Sequence, residues 1–364
     1  MKHIFHIITS LDIGGAERVA LNISKMPDKG IKFHIVEIVR GHSDFSENLI
    51  KEVSESNIML HHGMYLPPKI SIILFPVTFV FLYLRWKPSV IHIHTEIPDL
   101  STFLFCKLFP FAYKKTKLIR TIHNNVLWNQ WKRIGRHVER FYQKHAVNIA
   151  ISESVKNSYQ KEWGVTEMPM IHNGIEEVKQ NGFDEIKEGA INILFAGRLN
   201  YQKGIEQLSQ VVCHFKNDMR FKFFIIGSGE YSEHLHRLFD NIDNVVLKEK
   251  VYGLSHYLAS FDYLFLPSNF EGLALMPIEA SFAQTPCIIN NCLGLKDTLP
   301  EDWPLKVENN NVNDFIKLIE FLPQRSDRKE LGGKAYCFVK QHFSLKNMQI
   351  RYRKLYDDTE EDEW

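Results

Sequence analysis

Two acidic side chains stand close together in the second half of the chain, within residues 262–290. Glu271 follows an apolar run, Tyr263–Leu266, that predicts a strand, and Glu279 comes after seven intervening residues. Because proline favours the first position of a helix, Pro277 predicts a helix that carries Glu279 in its first turn. Ligands of open α/β sheets bind beyond the carboxyl ends of the strands, where both carboxylates would lie. One interpretation is a ligand site. The other is that Glu271 is a solvated loop residue and that Glu279 is stabilised by the helix dipole.

Two cations follow another predicted strand of the same half, Ile191–Ala196. Arg198 and Lys203 are five residues apart and precede a helical pattern. At the ligand edge of a sheet, the arginine would offer a bidentate fork and the lysine a compact charge, which together suit a diphosphate. Two solvated surface cations would give the same pattern, so this alternative stays open.

Glycines also stand directly after predicted strands. Gly14 and Gly15 separate the first strand from an amphipathic helix, and Gly227 and Gly229 follow the strand Phe221–Ile226. Glycine allows close approach of a ligand to the backbone, and the free N–H groups at a helix start attract phosphate. A tight turn that needs a positive φ is the alternative for the first pair. The G-x-G of the second pair lacks the third glycine of a dinucleotide fingerprint.

Histidines end two predicted strands of the first half. In Val90–His94 the two-residue period of a strand places His92 and His94 on one face, with His94 nearer the carboxyl end. His123 and Asn124 end the next strand and are candidates for acceptor contacts. Hydrogen-bonded core histidines are the alternative. No H-E-x-x-H or similar cluster occurs, so the sequence predicts no metal site.

Taken together, these motifs resemble the retaining GT-B glycosyltransferases of family 4. The similar stretches are GGAER at 14–18, VIHIH at 90–94, HNGI at 172–175, GRLNYQKG at 197–204, IIGSG at 225–229 and PSNFEG with EA at 267–280. Two positions depart from the family pattern: NNCLGLKD has only Gly294 where a Gly-Gly pair is frequent, and Ala274 replaces a frequent Pro or Gly. The first departure affects the expected sugar or acceptor preference.

The resemblance implies transfer of a sugar from a nucleotide-diphosphate donor to an acceptor hydroxyl, with retention at the anomeric carbon. It implies that Arg198 and Lys203 hold the donor diphosphate, that Glu271 binds the sugar and that Glu279 binds the ribose. It further implies a contact of His94 with the donor sugar, and donor-binding loops at Gly14, Gly15, Gly227, Gly229, Gly272 and Leu273. No cofactor or metal is expected, since the two cations would stabilise the leaving group.

Two other functions remain open from the sequence. A GT-B nucleotide-sugar epimerase would interconvert donors without an acceptor. A non-catalytic GT-B partner subunit would have no reason to keep Arg198, Lys203, Glu271, Glu279 and His94 together.

Twelve short apolar runs alternate with helical patterns, which predicts βαβ units around parallel sheets. The runs are 3–8, 33–39, 58–61, 90–94, 118–123, 148–152, 191–196, 221–226, 245–247, 263–266, 287–289 and 305–307. We therefore expect an α/β protein of the GT-B type, with two Rossmann-like domains facing each other across a cleft. The expected acceptor domain is 1–172, the donor domain is 173–343, and a C-terminal helix with an acidic tail, 344–364, packs back on the first domain.

Charge is unevenly distributed along the chain. Residues up to Ile175 contain 22 Lys and Arg against 14 Asp and Glu, whereas the remainder contains 22 against 29. A basic first half suggests an anionic partner, and a solvated charge asymmetry, which is common, is the alternative. Five cysteines without a C-x-x-C pair fit a reducing compartment. Nothing indicates nucleic acid as a partner.

Two apolar, aromatic segments bordered by cations lie at 66–86 and 103–117. They are either buried helices or surfaces that contact anionic lipid. The longest apolar run, of about 15 residues, is shorter than the roughly 20 residues of a bilayer span. The expected protein is cytoplasmic, peripheral on the inner face of the cell membrane, and acts on a lipid-linked saccharide for capsule, exopolysaccharide or O-antigen.

Overall fold

The computed structural model describes residues 1–12, 14–28, 30–41, 43–129 and 131–357. The chain divides into two compact units, Met1–Gly174 with Leu345–Trp364 and Ile175–Ser344, which we call unit 1 and unit 2. The division lies within two residues of the expected domain boundaries. The greater part of the acidic tail, 358–364, lies outside the described residues.

Unit 1 is built on a six-stranded sheet in the order β3-β2-β1-β4-β5-β6, with every pair of neighbours parallel. Its strands are β1 (Lys2–Ile8), β2 (Ile31–Glu37), β3 (Ile58–His61), β4 (Val90–His94), β5 (Lys117–Ile122) and β6 (Ala146–Ala150). Its helices are α1 (Gly15–Ser24), α2 (Asp44–Ser54), α3 (Pro68–Trp86), α4 (Glu96–Leu108), α5 (Phe111–Lys115), α6 (Lys132–His145), α7 (Glu153–Trp163) and, after unit 2, α13 (Leu345–Asp357).

Unit 2 repeats this architecture with the strand order β12-β11-β10-β7-β8-β9, again parallel throughout. Its strands are β7 (Ile191–Ala196), β8 (Phe221–Ile226), β9 (Val245–Lys248), β10 (Tyr263–Leu266), β11 (Cys287–Asn290) and β12 (Lys306–Val307). Its helices are α8 (Ile205–His214), α9 (Ser232–Phe239), α10 (Leu275–Phe282), α11 (Val312–Glu320) and α12 (Arg328–His342). The α/β fold class predicted from the sequence is confirmed.

All twelve predicted runs are strands, with bounds that differ by at most two residues. The prediction succeeds because a parallel strand covered on both faces reads as a continuous apolar run. In β7 and β10, for example, every residue from Ile193 to Phe195 and from Tyr263 to Leu266 is at most 2% exposed.

The C-terminal helix α13 packs on unit 1. Its Tyr352 and Tyr356 are buried, and their hydroxyl groups lie 2.9 Å from Thr121 Oγ1 and 2.7 Å from His92 Nδ1. A helix that follows unit 2 in sequence therefore completes the core of unit 1.

Helix α3 presents apolar residues on two opposite faces. The buried face carries Ile72, Phe75, Phe79 and Tyr83. The outward face carries Ile70, Ile73, Leu74, Val77, Phe81 and Leu84, with Ile73 67% and Phe81 71% exposed. Among the described residues it is the one helix whose length and composition would allow a membrane span. That alone is weak evidence of a span, because a core helix passes the same test.

Candidate active site

The loops after β7 and β10 bring together two residues that are 68 positions apart in the chain. Lys203 Nζ lies 2.7 Å from Glu271 Oε1, and Gln202 Nε2 donates to the other oxygen, Oε2, at 3.0 Å. Glu271 is only 5% exposed, whereas the Lys203 side chain is 21% exposed. The expected loop carboxylate is therefore a buried group whose charge is balanced by a cation that still reaches the surface.

Two glycines allow the loops of unit 2 to approach this closely. Gly204 has φ +68°, and a Cβ there would lie 1.7 Å from the carbonyl oxygen of Pro267. Gly294 has φ +75°, and its Cβ would lie 2.1 Å from the carbonyl oxygen of Glu271. Left-handed backbone of this kind strongly favours glycine. The single glycine left in NNCLGLKD is thus the one that the backbone beneath Glu271 requires.

An asparagine network, which the sequence did not predict, fixes the loop before Glu271. Asn269 donates from its backbone N–H to Gln202 O (2.8 Å) and from Nδ2 to Tyr201 O (2.7 Å). Asn310 Nδ2 donates to Asn269 Oδ1 and to Pro267 O, both at 2.8 Å. These bonds connect three loops, and no motif pointed to them because the partners are distant in sequence.

Arg198 lies at the end of β7 and is exposed. In unit 2, all of whose residues are described, its guanidinium has no side-chain partner. The backbone around it is fixed by the neighbouring loop, since Leu199 N–H donates to Ser228 O at 2.9 Å. A Cβ on Gly227 or Gly229 would lie 1.9 Å from Gly197 O or 2.3 Å from Leu199 O. Close packing of the backbone therefore favours glycine at both positions of the G-x-G pattern, whether or not they also contact a ligand.

The predicted position of Glu279 in its helix is wrong. Helix α10 begins at Leu275, so Pro277 is its third residue and Glu279 its fifth, beyond the first turn. Proline fits there because the first four N–H groups of a helix have no intrahelical acceptor. Glu279 is half-buried. Since the dipole effect falls off after the first turn, the helix start does not explain this carboxylate. Leu273 beside the site is buried and Gly272 is half-buried.

In unit 1 the predicted histidine is part of a chain of buried imidazoles. His94 Nε2 lies 3.0 Å from His6 Nδ1, and His94 Nδ1 lies 3.2 Å from His123 Nε2. His94 is 1% exposed and His123 is 9% exposed, so His123 is the outermost of the three. His6 was missed by the sequence analysis, although β1 and β4 pair His6 with His92. The adjacent Asn124 is exposed.

Burial keeps these histidines neutral. It lowers the pKa of His6 and of His123 to about 3 and that of His92 and His94 well below the ordinary value, and neighbouring histidines add to the effect on His92 and His94. Ligand atoms of His6, His92 and His94 lie within 4.8 Å of one another, which is a spacing that metal ions use. However, both nitrogens of His92 face hydroxyl groups, Tyr356 Oη and Thr121 Oγ1, at 2.7 Å. The cluster is therefore organised as a hydrogen-bonded core.

The glycine pair of unit 1 is not held in a positive-φ turn. Gly14 has φ −166°, which any residue adopts, and Gly15 is the first residue of α1. The positive-φ alternative is therefore wrong for this pair. Gly14 places its backbone at the start of a ten-residue helix, whose first N–H groups have no intrahelical acceptor.

Family models match both units. The model described as Glycosyltransferase Family 4 matches residues 13–178, and the one described as Glycosyl transferases group 1 matches residues 178–336. A glycosyltransferase of Methanocaldococcus jannaschii, itself uncharacterized, is 27% identical over 95% of this chain and 95% of its own. An uncharacterized 41.2 kDa protein in the cps region of Klebsiella pneumoniae is 26% identical over 74% of this chain and 79% of its own.

The fold is also similar to that of solved structures. Anabaena HepE in complex with UDP superposes with a TM-score of 0.80 at 13% identity, covering 98% of this chain and 100% of that one. With two parallel six-stranded α/β units, matching models over 13–336 and GT-B structural neighbours, the chain belongs to glycosyltransferase family 4 of the GT-B fold.

Proposed function

We propose that this protein transfers a sugar, with retention, from a nucleotide-diphosphate donor to a hydroxyl group of a lipid-linked saccharide. The observation that carries the proposal is the Lys203–Glu271 pair beside the exposed Arg198 in unit 2. One buried carboxylate, one partly exposed ammonium and one unpaired guanidinium at the carboxyl ends of parallel strands provide both anion-binding and hydroxyl-binding groups.

The chemistry follows from the charges. A diphosphate carries more negative charge than one carboxylate. It would therefore attract the Lys203 ammonium away from Glu271, so that Lys203 and Arg198 both contact the diphosphate. Glu271 would then have oxygen atoms available for the hydroxyl groups of the sugar. Fixed cations beside the leaving diphosphate stabilise charge that develops in the transition state. We therefore propose that this site works without a metal ion.

A donor of this class is supported by HepE, which was solved with UDP. Glu279 is proposed to bind the ribose, and His94 to act on the sugar. Because both ring nitrogens of His94 face other histidines, such a contact requires it to give up one bond or to act through His123.

The acceptor is proposed from the surface of unit 1. The outward face of α3 exposes six large apolar side chains. Helices with exposed apolar faces and flanking cations bind at the interface of anionic membranes. The relative in a cps region also supports a role in cell-surface polysaccharide. We propose that unit 1 lies on the inner face of the membrane, where such acceptors are reached.

The test is a thermal-shift panel of UDP, GDP, ADP and CMP sugars in the presence of EDTA. A ligand at about 100 times its Kd adds roughly 2.7 kcal/mol to the free energy of unfolding, which raises Tm by several degrees. We expect a shift with one base, lost in Arg198→Ala and kept in Lys216→Ala, an exposed cation on the same unit.

The outcomes separate the candidates. A shift that requires a divalent metal would contradict metal independence. The absence of any shift would favour a partner subunit, and conversion of the donor without an acceptor would favour an epimerase.

A further inference from the structure

A groove of about 810 Å³ lies within unit 1, between α3, α4 and α6. This volume is in the range of sites that enclose one small molecule. Its walls include six apolar side chains: Ile72, Leu100, Phe103, Leu104, Ile134 and Phe141. None of the motifs discussed above lies in it, so the donor site does not account for it.

The groove is bordered by basic groups. These are Lys69, Lys107, His137, Arg140, Lys144 and His145, and in the described part of unit 1 no acidic side chain lines it. The Lys107 ammonium lies 5.5 Å from the ring centre of Phe103 and 5.7 Å from that of Phe141. The Lys107 cation therefore lies over the aromatic lining. An apolar ligand with an anionic end matches both features.

A buried ionic cluster fixes two of the walls. Arg120 Nη2 lies 2.7 Å from Asp99 Oδ2 on α4 and 2.6 Å from Glu139 Oε1 on α6. Trp128 Nε1 donates to Glu139 at 2.6 Å, and Tyr142 Oη donates to Asp99 O at 2.8 Å. All three ionic side chains are at most 2% exposed. Removing one partner of such a buried group is strongly unfavourable, so α4 and α6 are held at a set distance before any ligand arrives.

The third wall connects the groove to the proposed membrane surface. Ile72 and Ile73 of α3 line the groove, and Ile73 also belongs to the exposed apolar face. Ile73 therefore places apolar surface where the exposed face of α3 meets the groove. This continuity favours a lipid over a soluble anion.

We propose that the groove binds the hydrocarbon chain of a single lipid phosphate, the lipid portion of the acceptor, and that the basic border binds its phosphate. This inference rests on the proposed function and names the class of acceptor: a saccharide on a long-chain phosphate or diphosphate. Arginine and lysine suit phosphate because of their bidentate and point-charge geometry. The chain itself is held by burial of apolar surface, at roughly 25 cal/mol per Å².

The experiment is calorimetric titration of the full chain with farnesyl phosphate below its micelle concentration. We expect saturable binding, with weaker binding of farnesol and none of inorganic phosphate. Arg140→Gln with Lys144→Gln should weaken binding at least about tenfold, because the phosphate would lose two charged hydrogen-bond donors. Leu104→Trp, which fills the groove without adding charge, should weaken it further.

Two control variants keep the test specific. Lys161→Gln removes an exposed cation on α7, and Lys51→Gln removes one on α2; neither residue lines the groove. Both should bind farnesyl phosphate as the unmodified protein does. Binding that is absent, or unchanged in the border and groove variants, would overturn the proposal. Equal affinity for short-chain phosphatidylglycerol would overturn the assignment to the acceptor lipid.

The nucleotide-sugar shift is measured on the same preparations. A normal shift without farnesyl phosphate binding would reject the groove site and leave the transferase intact. Farnesyl phosphate binding without a nucleotide shift would reject the donor chemistry and leave the groove as a lipid site.

Discussion

The two units have the same sheet but different polar chemistry. In unit 1, the histidines 6, 34, 92, 94 and 123 are buried on strands or at their ends. In unit 2, all of whose residues are described, none of the five histidines is buried, and the ligand edge is formed by Arg198, Lys203, Glu271 and asparagines. The same fold thus carries a chain of neutral histidines beside the buried Arg120 cluster in one unit and a charged loop site in the other.

In a parallel sheet, a functional site made of charged groups is found in the loops rather than between the strands. Loops tolerate charge because solvent reaches them, so a charged group there can exchange its protein partner for a ligand. Imidazoles that lie between strands need hydrogen-bond partners among the other buried groups, because a buried polar group without one costs about 1–3 kcal/mol of folding free energy. We therefore expect the histidine chain of unit 1 to respond to pH and the loop site of unit 2 to respond to charge removal.

The largest expected effect is acid destabilisation of unit 1. The pKa of His6 and of His123 is about 3 in the folded chain, compared with 6.5 when unfolded. Below pH 6.5 the unfolded state binds protons that the folded state does not, so this stability is present above pH 6.5 and is lost as the pH falls toward 3. At pH 5 the loss is about 2 kcal/mol for each of them. Hydrogen exchange at pH 7.5 and 5 should show residues 1–174 losing protection before 175–344.

One group opposes this trend. Burial raises the pKa of Asp99 to about 7, although Arg120 acts against the shift, so the folded state holds its proton more tightly as the pH falls. The five buried histidines outnumber it, because the pKa of each of them is lowered. His123 lies at the outer end of the histidine chain. His123→Gln should therefore lower the number of protons taken up on unfolding by about one, which makes the free energy of unfolding less dependent on pH. If residues 175–344 lost protection from hydrogen exchange before residues 1–174, the expected contrast between the two units would be wrong.

The next effect is loss of transfer in Lys203→Met. Removal of a preorganised charge at a developing anion lowers kcat by about 10²–10³. The change also leaves Glu271 buried without its cation, which lowers Tm. Steady-state rates and thermal melts would measure the two effects separately.

The double variant Lys203→Met with Glu271→Gln sharpens this result. Tm should recover, because the buried side chain at 271 is then neutral and no longer needs the Lys203 cation, whereas transfer should stay low. If the rate recovered together with Tm, the pair would be structural, and the charged-site description of unit 2 would be wrong.

The strands could be predicted from the sequence because buried parallel strands are uninterrupted apolar runs. The start of α10 could not, since Pro277 fits any of the first helical positions, and the actual start at Leu275 is set by a tertiary contact. Ala274 N–H donates to Gly294 O at 3.1 Å, twenty residues away in sequence. Helix boundaries of this kind depend on loops that the local pattern does not contain.

For the site, the motif residues of unit 2 were found because they lie in short charged or glycine-containing loops. The Lys203–Glu271 pairing was not foreseen, and neither was Asn310, because these contacts join loops far apart in the chain. In unit 1, His6 was hidden in an apolar strand. The exposed face of α3 was equally hidden, since both of its faces are apolar and only the fold decides which one is covered.

A smaller effect is expected for the surface of unit 1. Phe81 is 71% exposed, so Phe81→Ser should change the free energy of unfolding by no more than about 0.5 kcal/mol. If the side chain enters lipid, its loss removes about 1.5–3 kcal/mol, a roughly 10- to 100-fold weaker association with anionic liposomes. Co-sedimentation at low salt measures this, and Tyr252→Ser on the exposed surface of unit 2 is the control. If Phe81→Ser and Tyr252→Ser weakened association with the liposomes equally, the exposed face of α3 would not be a specific membrane-binding surface.

The smallest effect is expected for Glu279→Gln. The glutamine keeps one acceptor oxygen but no charge, so affinity for the nucleotide should fall by only about tenfold. The sharper readout compares the nucleotide with its 2′-deoxy form. The unmodified protein should prefer the ribose form, and Glu279→Gln should lose most of that preference, because the hydroxyl group then has a weaker acceptor. An unmodified protein that binds both forms equally would leave Glu279 with a structural role, and the charged site of unit 2 would end at Glu271.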